Sequence, residues 1–408
     1  MNLTDKQTFE NSTSNDTVHV SLNTTCLYDG CMSQDEYIDL IRDYIFPKPE
    51  EWVIVALYAV TFLAGIFGNA LVCFVVWKNK NMRTVTNIFI LNLSVGDLAV
   101  IVICLPSTLT VDVTQTWFFG LALCKTNLFL QLVSVSVSVL TLSAISVERW
   151  YAICYPLSFK STIKRARIII ILIWIISIGI GIPELVVDEV FPFKPFTVYL
   201  TSCRPGWESF RQSTYWIVIV LALYVVPMCL MAFTYTHIAR VLWSNEIPGT
   251  VERSHDCGSE MRTEIKGNFE QIESRKKAAK MLIAVVVVFG VCYLPVHILN
   301  LLRYTDMLKT MTDMTDIITI FSVIAHYFPF LNSSINPVIY NFMSEKFRRE
   351  FKLALKMCTM YGKKARIRNR SEFYRMTHSS GRYSTRFNSH YNGNTHSEHV
   401  TISRVKTC

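Results

Sequence analysis

Two charged groups stand in apolar surroundings, where an unpaired charge is costly. Asp97 interrupts a long apolar stretch with no basic neighbour, so its carboxylate must be paired, hydrated or bound to a cation. Glu148-Arg149-Trp150 closes another apolar stretch, and the arginine is directly preceded by its own counter-ion. Gln131, Ser138 and Arg149 are seven and eleven residues apart, two and three helical turns, and fall on one helix face. His326, Ser333 and Tyr340 repeat the logic at sevens. Pro227, Pro295 and Pro337 each remove a backbone hydrogen bond within an apolar stretch and permit a kink. Arranged beside Asp97, Arg149 and Tyr340, these prolines read as parts of a two-state bundle rather than as mere tolerance. No glycine-rich phosphate loop and no zinc-type Cys/His spacing is present, and the chain reads as a non-enzyme.

These side chains need helices to carry them. Of 408 residues, 51% are hydrophobic and only 17% charged, with a mean hydropathy of +0.31. A soluble domain carries about 25% charged residues. Seven stretches approach the roughly 20 apolar residues that cross a bilayer: Trp52–Trp77, Asn87–Val111, Leu121–Ile153, Ile168–Val187, Thr214–Trp243, Ala278–Leu302 and Ile317–Phe342. The fold class expected is an all-α membrane protein, a seven-transmembrane-helix bundle.

Orientation follows from basic residues. Lys78, Lys80 and Arg83, then Lys160, Lys164, Arg165 and Arg167, then Arg275, Lys276, Lys277 and Lys280, and the tail all fall on one side. That predicts an extracellular N-terminus and a cytoplasmic C-terminus. The net charge of +9 then reflects attraction to anionic membrane lipid, not nucleic-acid binding.

The ends divide by composition. Residues 1–34 read as a disordered, glycosylated N-terminus with sequons at Asn2, Asn11, Asn15 and Asn23 and no leader-like apolar region. Residues 35–51 hold an amphipathic helix, with Tyr37, Ile38, Ile41, Tyr44 and Ile45 at helical spacing, ended by Pro47 and Pro49. Residues 52–342 are the membrane domain, within which Ser244–Ser274 is polar and lacks periodicity. Residues 343–358 form a basic amphipathic membrane-surface helix ending at Cys358, a palmitoylation candidate. Residues 359–408 read as a disordered cytoplasmic tail. Cys124 and Cys203 both fall on the oxidising side, as do Cys26 and Cys31.

The Glu148-Arg149-Trp150 triplet and Asn336-Pro337-Val338-Ile339-Tyr340 resemble the rhodopsin-like (class A) G-protein-coupled receptors. The resemblance implies a Cys124–Cys203 disulfide over the bundle mouth. It implies a sodium pocket at Asp97 with Asn69, Ser138, Asn332, Ser333 and Asn336, an oxygen-rich set that suits a hard cation. It also implies a switch, with Pro337 among its residues, in which Glu148 holds Arg149 at rest and Arg149 swings toward Tyr235 and Tyr340 as the sixth helix moves out and opens a cleft for a G protein.

Closer matches narrow the family. Leu105–Trp117, Gln131–Leu142, Arg149–Pro156 and Leu242–Thr250 look like the orexin receptors and the related allatotropin receptors, as does Cys292-Tyr293-Leu294-Pro295. Gln131 stands where amine receptors carry a carboxylate, and the seventh stretch has no lysine for retinal. The resemblance implies a ligand site at Thr108, Asp112, Gln131, Trp207, Tyr215, Tyr293, Asn300 and His326. Three positions depart from the orexin pattern: Arg204-Pro205-Gly206 replaces loop acids, Trp216 a histidine and Phe330 a tyrosine. The expectation is therefore an allatotropin-like, C-terminally amidated neuropeptide, signalling through a heterotrimeric G protein of the Gq class to phospholipase C and calcium. Arrestin and receptor kinases are further implied partners. A tachykinin- or cholecystokinin-type receptor is the alternative within the fold. A channel or transporter is disfavoured, because no inverted repeat or filter motif is seen.

Overall fold

The structure, a computed structural model, describes residues 24–25, 32–47, 49, 51–156, 161–194, 197–243, 259–304 and 315–357. Seven helices among them are long and apolar enough to cross a membrane. In lipid, a helix pairs its backbone groups internally, so long apolar runs have few alternatives. In chain order the helices are α1 (Gln34–Ile45), α2 (Glu51–Lys78), α3 (Val85–Thr114), α4 (Gly120–Cys154), α5 (Ile163–Val187), α6 (Ser209–Val220), α7 (Val226–Trp243), α8 (Ser259–Tyr304), α9 (Thr315–Met343) and α10 (residues 345–357). Side-chain caps set two of the starts: Thr84 accepts from the Asn87 amide and Thr162 from the Arg165 amide. One compact unit covers residues 1–352 and a second residues 353–408, of which residues 353–357 are helical.

The fifth span runs through α6, a π-helical segment at Leu221–Val225, and α7. The Val226 amide reaches back five residues to the Leu221 carbonyl, and Pro227 follows at once. Proline cannot donate the next bond, so the wider, under-wound turn lies beside the break it makes. Pro106, Pro183 and Pro329 also lie inside helices, beyond the three prolines the sequence singled out.

Two segments differ from expectation. Helix α8 spans 46 residues from Ser259, well into the polar link read as lacking periodicity. Glu, Arg, Lys and Gln carry helix propensity there, and Met261, Ile265, Phe269 and Ile272 recur at helical spacing among them, a period the polar composition concealed. Within residues 1–34, Thr24–Thr25 pairs antiparallel with Met32–Ser33. The sequons Asn2, Asn11, Asn15 and Asn23, the pair Cys26 and Cys31, and Cys358 lie outside the described residues.

The core sits between helices, and large apolar side chains such as Phe67, Ile175, Val186, Phe233 and Phe342 face outward. Tyr58, Ile101, Cys104, Leu105 and Phe330 join α2, α3 and α9. Val133, Val137 and Ile173 join α4 and α5. Lipid gives no hydrophobic drive between helices, so close approach and hydrogen bonds hold them. A Cβ on Gly65 would stand 2.4 Å from Ile101 Cδ1 and 2.7 Å from Ser334 Oγ, so only glycine lets α2 approach this closely. Asn92 links three helices: its Nδ2 donates to Thr141 Oγ1 at 2.9 Å, and its Oδ1 accepts from Trp174 Nε1 at 2.8 Å.

Between α5 and α6, strands Asp188–Phe191 and Ser202–Pro205 form an antiparallel hairpin with Val190 opposite Cys203. Cys203 is disulfide-bonded to Cys124 at the start of α4, with Cα atoms 5.7 Å apart. The Trp117 amide donates to the Thr201 carbonyl at 2.8 Å, and the Leu200 amide to Thr116 Oγ1 at 3.0 Å. The loop is thus fastened at three points. The bridge closes a 79-residue separation, and losing a comparable native disulfide costs about 2–5 kcal/mol. Cys124→Ser and Cys203→Ser are each expected to lower surface expression, with the double variant no worse than either single. Flow cytometry on intact cells measures this, and additive losses would mean that the two cysteines act separately.

Candidate functional site

At the disulfide end of the bundle, α3, α4, α5, α6, α8 and α9 enclose a cavity of about 140 Å³. Thr108, Gln131, Tyr293, Asn300 and His326 line it, so five of the eight residues expected at a ligand site come together. Gln131 Nε2 donates to Thr108 Oγ1 at 3.3 Å. Trp216 and Phe330, two of the three departures from the orexin pattern, also form its wall. Phe330 packs 6.2 Å from the Tyr58 ring. A space this narrow holds a side chain or a chain terminus, not a folded ligand.

The other three expected residues stand behind the wall. Asp112 is buried, with Oδ2 accepting from Tyr58 Oη at 2.7 Å and Oδ1 2.7 Å from His326 Nδ1. It therefore orients His326 and ties α2, α3 and α9. Trp207 packs edge-on against Tyr215 at 4.8 Å. Tyr215 Oη donates to Glu184 Oε1 at 3.0 Å. Third among the departures, Arg204 lies with its guanidinium 4.4 Å from the Phe191 ring centroid.

Glu184 and His297 line the cavity too and were missed by the sequence reading. Each is a polar residue within an apolar stretch, the same signal that marked Asp97. Glu184 is buried beside Asp188, whose two carboxyl oxygens are buried without a hydrogen-bond partner among the described residues. Burial pushes the Asp188 carboxyl well above its ordinary range, helped by the adjacent Glu184 and opposed by Lys125.

Midway along the bundle, Asp97 is fully buried. Asn336 Nδ2 donates to its Oδ2 at 3.0 Å. Asn69 Nδ2 donates to the carbonyls of Gly65 at 3.0 Å and Ser333 at 2.9 Å. Ser138, Asn332 and Ser333 are buried as well. The Oδ1 atoms of Asp97, Asn69, Asn332 and Asn336 are buried without a hydrogen-bond donor. Such a set of oxygens lacking donors is chemically what a hard cation takes as ligands.

At the opposite end Arg149 forks onto Glu148, with Nε 2.6 Å from Oε2 and Nη2 2.8 Å from Oε1. Ser161 Oγ donates to the same Oε1 at 2.5 Å. The pair is bidentate and mostly buried, the geometry in which such a bond is strong. Arg149 lies where two cavities meet. One, of about 960 Å³, is lined by α3, α8, α9 and α10; the other, of about 250 Å³, includes Tyr235. Tyr340 is buried after Pro337 and stacks 5.6 Å from Phe347. Trp150 Nε1 donates to His237 Nδ1 at 3.1 Å, joining α4 to α7.

Seven apolar helices, a disulfide-fastened loop over one end and an ion pair at the other make up a membrane-spanning bundle. The sequence matches the family described as 7 transmembrane receptor (rhodopsin family) over residues 68–340. The chain belongs to that family, the class A G-protein-coupled receptors, and is a multi-pass plasma-membrane receptor rather than an enzyme. It is similar to a QRFP-like peptide receptor of Branchiostoma floridae, 34% identical over 312 residues that cover 74% of this chain and 77% of the relative.

Proposed function

We propose that this receptor binds a short, C-terminally amidated, allatotropin-like neuropeptide on the outer face and activates a Gq-class G protein inside. The disulfide end faces outward in this reading, because the basic links lie at the other end. The observation that carries it is the narrow cavity lined by Thr108, Gln131, Asn300 and His326. Neutral donors and acceptors complement a terminal carboxamide better than a carboxylate, which would ask for a cation. Asp112, Trp207 and Tyr215 act as positioning residues, holding His326 and Glu184 in place. A QRFP-like peptide, the class in the relative's name, is the second reading, favoured by the extent of the match.

The bundle would work as follows. Glu148 holds Arg149 at rest. A ligand bound among α3, α4, α8 and α9 favours an arrangement in which Arg149 leaves Glu148 for Tyr235 and Tyr340, widening the cleft that receives the G protein. The π turn before Pro227, and Pro295 and Pro337, mark where the helices bend. Asp97, Asn69, Ser138, Asn332, Ser333 and Asn336 would hold a sodium ion in the resting arrangement. When bound, the ion supplies the charge that neutralises Asp97.

The ligand reading is tested by calcium release from transfected cells exposed to amidated allatotropin-like and QRFP-like peptides. Gln131→Ala and Asn300→Ala are each expected to weaken potency by about 1–3 kcal/mol, roughly five- to hundredfold, at matched surface expression. Unchanged potency in both would remove these residues from the site.

Sodium is tested by linkage. Replacing N-methyl-glucamine with sodium at equal ionic strength should raise the thermal stability of the unliganded receptor and lower agonist affinity. Asp97→Asn should abolish both effects. A sodium response of equal size in the variant would leave Asp97 a structural carboxylate.

A further inference from the structure

His297 lies on α8, one turn past Tyr293, and lines the cavity. It is 7% exposed, and both Nδ1 and Nε2 are buried with no hydrogen-bond partner among the described residues. Other polar groups of the wall are engaged by protein: Gln131 by Thr108, Glu184 by Tyr215 and His326 by Asp112. Leaving two ring nitrogens dry and unpaired is unfavourable, and native interiors rarely do it. The ring is also fixed in place. It packs 4.7 Å from Tyr224 and 6.2 Å from Tyr293. Tyr224 is itself held, its hydroxyl donating to the Gly290 carbonyl at 2.8 Å. The imidazole is thus a preorganised polar group that waits for a partner from the cavity.

Its chemistry selects that partner. A neutral imidazole presents one donor and one acceptor. A primary carboxamide can accept from the N–H or donate to the bare nitrogen, whichever edge meets it, and carries no charge. A carboxylate presents acceptors only, so it can meet the ring's N–H but not its bare nitrogen, and it would bring an uncompensated charge against a largely apolar wall. We propose that His297 anchors the terminal carboxamide of the ligand and sets the preference for amide over free acid. The inference rests on the amidated-peptide reading given above.

The test uses the full-length receptor in cells and the most potent amidated peptide of the panel, paired with the same peptide bearing a free carboxylate. His297→Phe keeps a ring between Tyr224 and Tyr293 but removes both nitrogens. His297→Asn keeps a donor and an acceptor. The parent should prefer the amide. His297→Phe should cost the amidated peptide about tenfold in potency and the free acid little, so that the two converge. His297→Asn should retain part of the preference. If both variants keep the parent's amide-to-acid ratio, His297 is not the anchor. Gln131→Ala in parallel separates the two ideas. A parent that prefers the amide, with the preference lost in Gln131→Ala and kept in His297→Phe, overturns the His297 assignment alone. A parent that responds equally to amide and acid, or to no amidated peptide, overturns the amidated-ligand reading and this inference with it.

Discussion

Hydrocarbon offers no water to a polar group, and the rest of this structure follows from that constraint. Backbone groups must pair within helices, which turns the apolar stretches into spans. Side chains with polar atoms must find one another or line a cavity. Asn92 does the first, tying α3 to α4 and α5 through Thr141 and Trp174. Asp112 does it too, joined to Tyr58 and His326. Glu148 and Arg149 satisfy each other at the rim. Where the bundle leaves polar atoms unpaired, at His297 and around Asp97, a ligand or a cation is the natural complement.

These polar groups are distributed along the bundle axis. The cavity at the disulfide end, the Asp97 cluster midway and the Glu148–Arg149 pair at the other end share α4, which carries Gln131, Ser138 and Arg149 on one face. Packed helices respond to a small shift by switching between arrangements rather than deforming smoothly. In the proposed switch, the π turn beside Pro227 and the prolines of α8 and α9 would be the points where bending is least costly. In this account the ligand need only favour one arrangement by its differential contacts.

Much of this was legible in the residues. Apolar runs gave the seven spans, and ends differed by a few residues because the rims of α6 and α8 are polar or charged, at Ser209 and Glu273 for instance. The early start of α8 was hidden because its apolar residues, Met261, Ile265, Phe269 and Ile272, are sparse among Glu, Lys and Arg, although they recur at helical spacing. Thr108, Gln131, Tyr293, Asn300 and His326 were recognisable from the family pattern. Glu184 and His297 were not, since that pattern gives them no role, although each is a polar residue within an apolar stretch as Asp97 is. The π turn was invisible, because sequence marks the proline but not how the preceding turn relaxes.

The central claim is that ligand binding and G-protein engagement are two ends of one switch held by Glu148 and Arg149. Nucleotide exchange on purified Gq in membranes of matched receptor content tests it most directly, with peptide binding measured alongside. Arg149→Ala should bind peptide yet fail to drive exchange, while Glu148→Ala should raise exchange without ligand and Glu148→Asp should stay near the parent. Normal peptide-driven exchange by Arg149→Ala would contradict the account.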